Sequence, residues 1–390
     1  MRPDARAAAA IDILDRWLTG VAPAERLLAE WGRANRYAGS GDRRAIGDLV
    51  YDAIRRRRSA LWVSGAVSED GRALILGRTV LEGVDPTEIF TGARHAPAAL
   101  DARDRLRDLS DAPLAVRHDL PDWLEPYMAA LPESTLSALG HRAPLDLRVN
   151  LLKATVPGAV ARLVEEGVQA EAGPQSPPCL RVRDGAHRVA RTGAYEDGWV
   201  ELQDASSQAV ADLAAALPGE TVLDFCAGGG GKTLALAAAM QNRGRLFAYD
   251  AAPQRLAQIA PRAARAGARI TCLDDAGLQD LAGSCDLVFV DAPCSGTGAW
   301  RRTPEAKWAL TPSRLDELTA LQANILMQAR RFLRPGGRMI YATCSLLNLE
   351  NEARIDAFLE QHPHFRPGES LSLTDLAQGD GFFAQVLRNA

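Results

Sequence analysis

Two cysteines stand directly after two strand-like apolar runs. Cys294 follows the run at residues 287–290, and Cys344 follows the run at residues 339–341. In an open α/β sheet, ligands bind beyond the carboxyl ends of the strands, so both thiols should face one crevice. A thiol pair in a crevice favours covalent chemistry on an electrophilic carbon, with one sulfur attacking and the other helping to release the product. The alternative is that both are buried and act as small apolar side chains.

A glycine-rich loop, residues 226–231, lies between a strand-like run and a helix-like run. Glycines let a ligand approach the backbone closely, and the start of a helix offers free amides to a negative group. A phosphate-binding P-loop needs glycine where the chain has Cys226, and the dinucleotide pattern needs glycine where it has Thr233. A methyltransferase loop, which holds the amino-acid end of S-adenosylmethionine, needs glycines without a fixed phosphate cradle.

Carboxylates follow the next two strand-like runs. Asp250 ends the first of them, where a carboxylate can accept both ribose hydroxyls of an adenosine. Its alternative role is that of a helix cap. Asp275 follows the second run and is placed to meet the adenine ring, although the adjacent Asp274 could be the residue that points inward.

The remaining pattern predicts the elements that would position these residues. Apolar residues recur at helical spacing over roughly residues 4–110, and residues 120–200 read as mixed α/β. From about residue 218, strands alternate with helices, which is typical of a doubly wound, mostly parallel sheet. The predicted strands of this part are 221–225, 246–249, 270–273, 287–290, 338–341 and 381–387, and its helices are 232–240, 253–266 and 312–332.

The bulk composition is that of an ordinary globular protein. The chain has 390 residues, of which 47% are apolar and 24% charged, and a net charge of −4. This length predicts two or three domains, and no apolar run approaches the length of a membrane span. The six cysteines form no Cys-x-x-Cys pair, which argues against a zinc site and a disulfide framework and favours free thiols in the cytoplasm. We expect no metal.

Taken together, these segments resemble the RsmB/Fmu (Nop/Sun) family of RNA cytosine-5 methyltransferases, which use S-adenosylmethionine. The resemblance covers nearly the whole chain. The matching segments are residues 148–153, 203–207, 291–298, 301–308, 343–345 and 348–352.

The resemblance implies a Rossmann-like class I methyltransferase domain over residues 203–390. A small α/β subdomain over 121–202 and a shortened all-α, NusB-like RNA-binding domain over 1–120 would precede it. Cys344 would be the nucleophile that adds to carbon 6 of cytosine, and Cys294 would assist breakdown of the adduct. Asp291 would contact the nitrogen edge of the cytosine ring. The residues expected at the S-adenosylmethionine site are Cys226, Ala227, Gly228, Gly229, Gly230, Gly231, Lys232, Asp250, Arg255, Asp275 and Asp291.

Basic residues within the family-like motifs are expected to hold RNA. These residues are Arg55, Arg56, Arg148, Asn150, Lys153, Arg301, Arg302 and Lys307. The run at residues 55–58 is either a solvated helix end or a phosphate contact, and residues 301–307 could instead form a plain exposed loop.

The leading hypothesis is 5-methylcytosine formation in small-subunit (16S) ribosomal RNA by a monomeric enzyme. The alternatives are the same chemistry on transfer RNA, or a non-catalytic RNA-binding assembly factor. One departure from the family lies in the cofactor loop, where Gly228 and Gly229 stand in place of the usual Ala-Pro. Because the fixed φ of proline is lost, we expect a more flexible loop and weaker cofactor binding.

Overall fold

The computed structural model describes residues 1–102 and 104–389. It divides into two compact units. One consists of Met1–Arg142 with Trp300–Ala309, and the other of Ala143–Ala299 with Leu310–Ala390. The helical unit therefore extends beyond residue 120, and it includes a ten-residue segment from within the predicted catalytic domain.

The first unit is helical. Its opening helix begins with Pro3 at the first helical position, where the missing N–H is not needed, and buries Ala10, Ile13 and Leu14 along one face. The α-helices of this unit are Pro3–Leu18, Ala24–Ala34, Ser40–Arg55, Arg57–Ser64, Gly71–Leu81, Pro86–Ile89, Leu114–Arg117, Glu125–Met128, Glu133–Ala138 and Pro304–Ala309, with 3-10 turns at Leu109–Asp111 and Asp122–Leu124.

The second unit contains two sheets, whose strands are numbered here in chain order. They are β1 (Asp146–Val149), β2 (Gln169–Ala172), β3 (Cys179–Asp184), β4 (Val200–Leu202), β5 (Thr221–Asp224), β6 (Arg245–Ala248), β7 (Thr271–Cys272), β8 (Cys285–Asp291), β9 (Leu333–Thr343), β10 (Phe365–Leu373) and β11 (Phe382–Asn389). The first four strands form an antiparallel sheet in the order β2-β3-β1-β4. Leu147, Leu163 and Leu180 are fully buried in its core.

The larger sheet confirms the predicted doubly wound fold. Its order is β10-β11-β9-β8-β5-β6-β7, with β5 to β9 parallel and with β10 and β11 antiparallel at one edge. The chain winds outward from β5 in both directions, which creates a crevice at the carboxyl ends of β5 and β8. The helices of this unit are Val156–Glu165, Gly193–Glu196, Ala205–Leu213, Gly231–Ala239, Pro253–Leu256, Ile259–Ala266, Asp275–Gln279, Pro312–Ala329 and Glu352–Gln361, with 3-10 turns at Val189–Arg191, Thr297–Ala299, Arg330–Phe332 and Asn348–Glu350.

Several local features differ from the sequence-based prediction. The single helix predicted over 253–266 is two helices, Pro253–Leu256 and Ile259–Ala266, and the second carries Pro261 in its first turn. Strands β2 and β10 and the helices Asp275–Gln279 and Glu352–Gln361 were not predicted. No helix within the described residues is long and apolar enough to cross a membrane.

Candidate active site

The two cysteines lie side by side at the carboxyl ends of β8 and β9. Asp291 at the end of β8 pairs with Ala342 of β9, so both strands deliver their following loops to the same place. The Sγ atoms of Cys294 and Cys344 are 3.4 Å apart, and both residues are free and partly exposed. The hydrogen bond with Cys344, followed by burial, raises the pKa of the Cys294 thiol well above its usual value. Cys294 therefore holds its proton more firmly than a free thiol does.

A buried carboxylate ties together the loops that carry the two cysteines. Glu350 is fully buried, and it accepts hydrogen bonds from the hydroxyls of Ser295 and Ser345, the residues that follow the two cysteines. The backbone N–H of Ser295 donates to Oε1 of Glu350 at 2.8 Å, and Nε2 of Gln322 donates to the same atom at 2.9 Å. The sequence motif contained Glu350, but sequence reasoning assigned it no role; its place between the two cysteine loops makes it a positioning residue.

The ammonium of Lys232 joins the cofactor loop to the end of β8. Its Nζ donates to Oδ2 of Asp291 at 2.7 Å and lies 4.9 Å from the ring centroid of Phe382. Burial by itself would lower the pKa of Lys232, but the charge and hydrogen bond of Asp291, with a further contribution from Cys344, raise it. A protonated lysine therefore lies between the glycine loop and the thiol pair.

The glycine loop leads directly into the helix Gly231–Ala239. Gly228 and Gly230 have φ angles of +52° and +82°, which glycine adopts without strain. The carboxylate of Asp250, which is 6% exposed, accepts the N–H of Gly228 at 2.9 Å and the N–H of Ala252 at 2.9 Å. Nη1 of Arg255 lies 3.2 Å from Oδ2 of Asp250. Asp250 thus fixes the loop and the turn that follows β6, while the predicted contact with ribose remains a prediction.

The aspartates after β7 have separate partners. Oδ1 of Asp274 accepts the N–H of Gly277 at 2.9 Å and caps the short helix. Oδ1 of Asp275 accepts the hydroxyl of Tyr249 at 2.8 Å, and burial together with this hydrogen bond raises the pKa of Tyr249 to about 12. Asp275 is therefore the residue of the pair that faces the end of β6.

Asp224, at the carboxyl end of β5, is a site residue that sequence reasoning missed. Its Oδ2 accepts the hydroxyl of Thr233 at 2.7 Å, whereas its Oδ1 is buried and has no hydrogen-bond partner among the described residues. Burial raises the pKa of Asp224 to about 7, although the Thr233 hydrogen bond opposes this shift. An unpaired buried acceptor is costly unless a ligand supplies a donor. The only signal in the sequence was its position at a strand end.

Three residues expected to contact RNA are instead engaged within the second unit. Arg148 is 4% exposed, and its Nη1 lies 3.4 Å from the carbonyl oxygen of Gly231. Asn150 is buried and donates through Nδ2 to the carbonyl of Ala266 at 2.8 Å. Lys153 is exposed, but its Nζ donates to the carbonyl of Arg265 at 2.6 Å. These contacts connect the end of β1 to the glycine loop and to the last turn of the helix Ile259–Ala266.

Several other residues expected to contact RNA pack inside the helical unit. Lys307 is 1% exposed and donates to the carbonyl of Arg55 at 2.8 Å, while Nε of Arg55 donates to the carbonyl of Arg301 at 2.9 Å. Arg55 and Arg301 are also buried. Arg56 donates to the carbonyl of Gly140 at 3.1 Å. Of the five basic residues Arg55, Arg56, Arg301, Arg302 and Lys307, only Arg302 is exposed. They therefore do not form an exposed basic cluster.

No group of side chains in the described part of the chain has the composition of a metal site. The polar groups near the crevice include the two thiols, one lysine and several carboxylates. This set suits nucleophilic attack and the binding of a cationic, ribose-containing ligand.

Two family models match the second unit and the segment before it. One, described as "16S rRNA methyltransferase RsmB/F", matches residues 212–386, and a ferredoxin-like domain of the same family matches residues 120–188. The "Ribosomal RNA small subunit methyltransferase B" of Sodalis glossinidius is 37% identical over 287 residues, which cover 69% of this chain and 65% of the relative. A "Probable ribosomal RNA small subunit methyltransferase B" of Synechocystis is 32% identical, covering 65% of this chain and 59% of the relative. The chain thus spans less than two thirds of the length of each.

Solved structures share the fold. The structure of PH0851 has a TM-score of 0.79 at 23% identity, with 99% of both chains covered. A methyltransferase homologue from Pyrococcus horikoshii has a TM-score of 0.61 at 24% identity, covering 71% of this chain and 97% of that one.

Proposed function

The chain belongs to the RsmB/F methyltransferase family, and we propose that it transfers a methyl group from S-adenosylmethionine to carbon 5 of a cytosine in 16S ribosomal RNA. The observation that carries this proposal is the pair of thiols, 3.4 Å apart, at the ends of β8 and β9. The names of the curated relatives support ribosomal RNA as the substrate. A methyltransferase that acts on an amino group has no use for two adjacent thiols.

The thiol pair supplies the activation that cytosine needs. Carbon 5 is a poor nucleophile, and addition of the Cys344 thiolate to carbon 6 forms an S–C bond that makes carbon 5 enamine-like. S-adenosylmethionine supplies an electrophilic methyl group when it is bound. After transfer, a base removes the proton from carbon 5, and the electron pair of that C–H bond restores the ring double bond as the thiolate leaves carbon 6.

Cys294 is suited to this second step. Its pKa is raised chiefly by the hydrogen bond with Cys344. Once the sulfur of Cys344 is bound to carbon 6 it carries no charge, so Cys294, which is partly exposed, gives up its own proton to water more readily. The resulting thiolate, adjacent to the adduct, can accept the proton from carbon 5. The ion pair of Lys232 and Asp291 would hold the edge of the base and balance the charge that develops there.

The residues around the glycine loop fit the amino-acid and ribose parts of S-adenosylmethionine. The unpaired Oδ1 of Asp224 fits the ammonium of the methionine moiety. The first amides of the helix Gly231–Ala239 fit its carboxylate, and Asp250 fits the ribose hydroxyls. Asp275, beside Tyr249, would face the adenine.

RNA binding is proposed to involve Arg302, which is exposed, rather than the buried Lys307. We also propose that the chain acts as a monomer in the cytoplasm, where its cysteines stay reduced. The target cytosine must leave its stack to reach the crevice, at a cost of a few kcal/mol. A nucleotide in a single-stranded region of an RNA meets this condition most easily.

The direct test is methyl transfer with labelled S-adenosylmethionine onto 16S ribosomal RNA and, separately, transfer RNA from cells that lack this gene. We expect the wild-type chain to form 5-methylcytosine in 16S RNA, and Cys344→Ala to be at least about 10³-fold slower. Cys272→Ala, which alters an exposed cysteine outside the crevice, is the matched control and should keep full activity. Transfer only to transfer RNA would contradict the proposed substrate, and no transfer to either RNA would contradict the proposed activity.

A further inference from the structure

We propose that Arg262, anchored by Glu201, is a positioning residue that holds the glycine loop in the shape that binds the cofactor. This inference rests on the proposed function, because it assumes that the loop binds S-adenosylmethionine. It assigns to the small α/β sheet, from which Glu201 comes, a part in cofactor affinity.

Arg262 connects the loop to that sheet with the two ends of its guanidinium group. It lies on the helix Ile259–Ala266, where its Nη1 donates to the carbonyl oxygen of Gly229 in the loop. Its Nη2 donates to Oε2 of Glu201 at 2.9 Å. A planar guanidinium group held at both ends has few other orientations open to it, so the position of the Gly229 carbonyl is fixed relative to β4.

Glu201 is a firm anchor because it is buried and fully engaged. Its side chain is 2% exposed, and its second oxygen accepts from Nη2 of Arg265. The guanidinium of Arg265 in turn lies over the ring of Tyr195, with Cζ 4.3 Å from the centroid. Because two arginines donate to this buried carboxylate, removal of Arg265 still leaves Glu201 paired with Arg262.

The loop needs an external restraint because of its composition. Residues 228–231 are all glycine, which loses more conformational freedom on ordering than any other residue. Asp250 restrains the first of them through the N–H of Gly228, and the N–H of Gly230 donates to the carbonyl of Ala227 at 2.9 Å. Arg262 adds the restraint at Gly229, the position where the family usually has proline.

Side chains occupy the space that a side chain on residue 229 would use. A Cβ atom built on Gly229 would lie 3.0 Å from Oε1 of Gln258 and 3.4 Å from Nη1 of Arg262. The glycine therefore allows the guanidinium to approach the backbone, and the guanidinium supplies the order that glycine lacks. The sequence predicted a flexible loop, but the contact from Arg262 restrains it from outside the loop.

Arg148 supports the far end of the loop from the same sheet. It pairs with Glu201 in the register of β1 and β4, and its Nη1 lies 3.4 Å from the carbonyl of Gly231. Arg262 and Arg148, which both lie beside Glu201, thus contact the loop backbone at Gly229 and at Gly231, respectively.

Calorimetry with S-adenosylhomocysteine tests the inference on the full chain. We expect Arg262→Ala to weaken binding about tenfold. Without the arginine, the loop becomes ordered only when the ligand binds, and this ordering reduces the free energy of binding. Arg265→Ala is the matched control, since it removes the other donor to Glu201 but no contact to the loop, and it should change affinity less than about twofold. In steady-state assays Arg262→Ala should raise KM for S-adenosylmethionine and leave kcat and KM for RNA unchanged, which general destabilisation would not do.

Hydrogen exchange in the ligand-free chain separates this inference from the proposed function. Faster exchange at the amides of residues 228–232 in Arg262→Ala, but not in Arg265→Ala, supports the positioning role whatever the chain binds. Wild-type affinity and exchange in Arg262→Ala, or equal losses in both variants, would overturn it. If the wild-type chain fails to bind S-adenosylhomocysteine, the proposed function is contradicted. The hydrogen-exchange measurement needs no ligand, so it still tests the role of Arg262.

Discussion

A single buried carboxyl oxygen, Oδ1 of Asp224, connects the electrostatics of the crevice to cofactor affinity. Burial raises the pKa of Asp224 to about 7, so the group is largely protonated below that pH and ionised above it. An ammonium binds the ionised form better. Affinity should therefore increase as the pH rises through 7.

Calorimetric titration with S-adenosylhomocysteine between pH 6 and pH 7.5 measures this dependence. We expect the wild-type affinity to increase by about three- to tenfold over that range. Asp224→Asn should bind more weakly at pH 7.5 and should lose most of the pH dependence, because the amide does not titrate. A wild-type affinity that stays constant over the range would contradict the assignment of Asp224 to the ammonium.

Glu350 offers a second test at the scale of one side chain. It holds Ser295 and Ser345 and thereby the two loops that carry the thiols. Replacing it with alanine leaves several buried donors without an acceptor, which costs about 3 kcal/mol of unfolding free energy. We expect Glu350→Ala to lower Tm. It should also lower kcat strongly while changing KM for RNA only slightly.

Glu352→Ala is the control for this variant, because Glu352 is exposed in the same segment. It should leave both Tm and kcat close to the wild-type values. If the two variants had equal kcat after correction for the folded fraction, Glu350 would have no role in placing the thiols.

At the scale of elements, the sequence located the strands that build the crevice. β5, β8 and β9 contain short, continuous apolar runs that lead to Asp224, Asp291 and Thr343, and these runs made the strands recognisable. The edge strands β2 and β10 were missed because they carry few such residues. β10 also contains a proline and a glycine, which sequence reasoning treats as strand breakers but which are tolerated at a sheet edge.

The functional reading of basic residues was less accurate for a physical reason. Local patterns describe which residues share a face, but Arg148 and Lys307 are buried by contacts with segments distant in the chain. Their charge suggested exposure to phosphate, whereas each satisfies a backbone carbonyl. The same limit applies to Arg262, whose partner Glu201 is 61 residues away.

The helix Pro304–Ala309 permits a test of the buried role of Lys307. Burial lowers the pKa of Lys307 to about 8 from 10.5, although the charge of Asp119 opposes this shift. Between these pH values the unfolded chain binds more protons than the folded chain, so this residue makes the protein more stable as the pH rises. Denaturant unfolding measures this effect in the wild-type chain and in Lys307→Met. From pH 8 to pH 10.5, the free energy of unfolding of the wild type should rise by up to about 3 kcal/mol relative to that of Lys307→Met. A difference that does not change with pH would indicate a solvated ammonium.

At the scale of the whole molecule, the helical unit includes a segment from far along the chain. Within that unit Nε1 of Trp17 donates to Glu305 at 2.7 Å, and Nε1 of Trp308 donates to the carbonyl of Ile54 at 2.7 Å. Trp300 is 1% exposed. The sequence showed no sign of this arrangement, because residues 300–309 directly follow the first cysteine motif.

Removal of residues 1–142 should therefore leave residues 300–309 without their packing partners. We expect a fragment of residues 143–390 to aggregate, as measured by light scattering, because two tryptophans lose their cover. Co-expression with residues 1–142 should restore a soluble protein. A fragment that stays monodisperse by itself would show that the segment does not need the helical unit.

The most direct test of the account is to trap the covalent adduct between the chain and RNA. Cys294→Ala, incubated with S-adenosylmethionine and 16S ribosomal RNA from cells lacking the gene, should accumulate a protein–RNA adduct that survives denaturing electrophoresis. The adduct should be absent from the double variant Cys294→Ala/Cys344→Ala and present when Cys272→Ala is added instead. An adduct that persists without Cys344, or methyl transfer at the wild-type rate by Cys344→Ala, would contradict the proposed nucleophile.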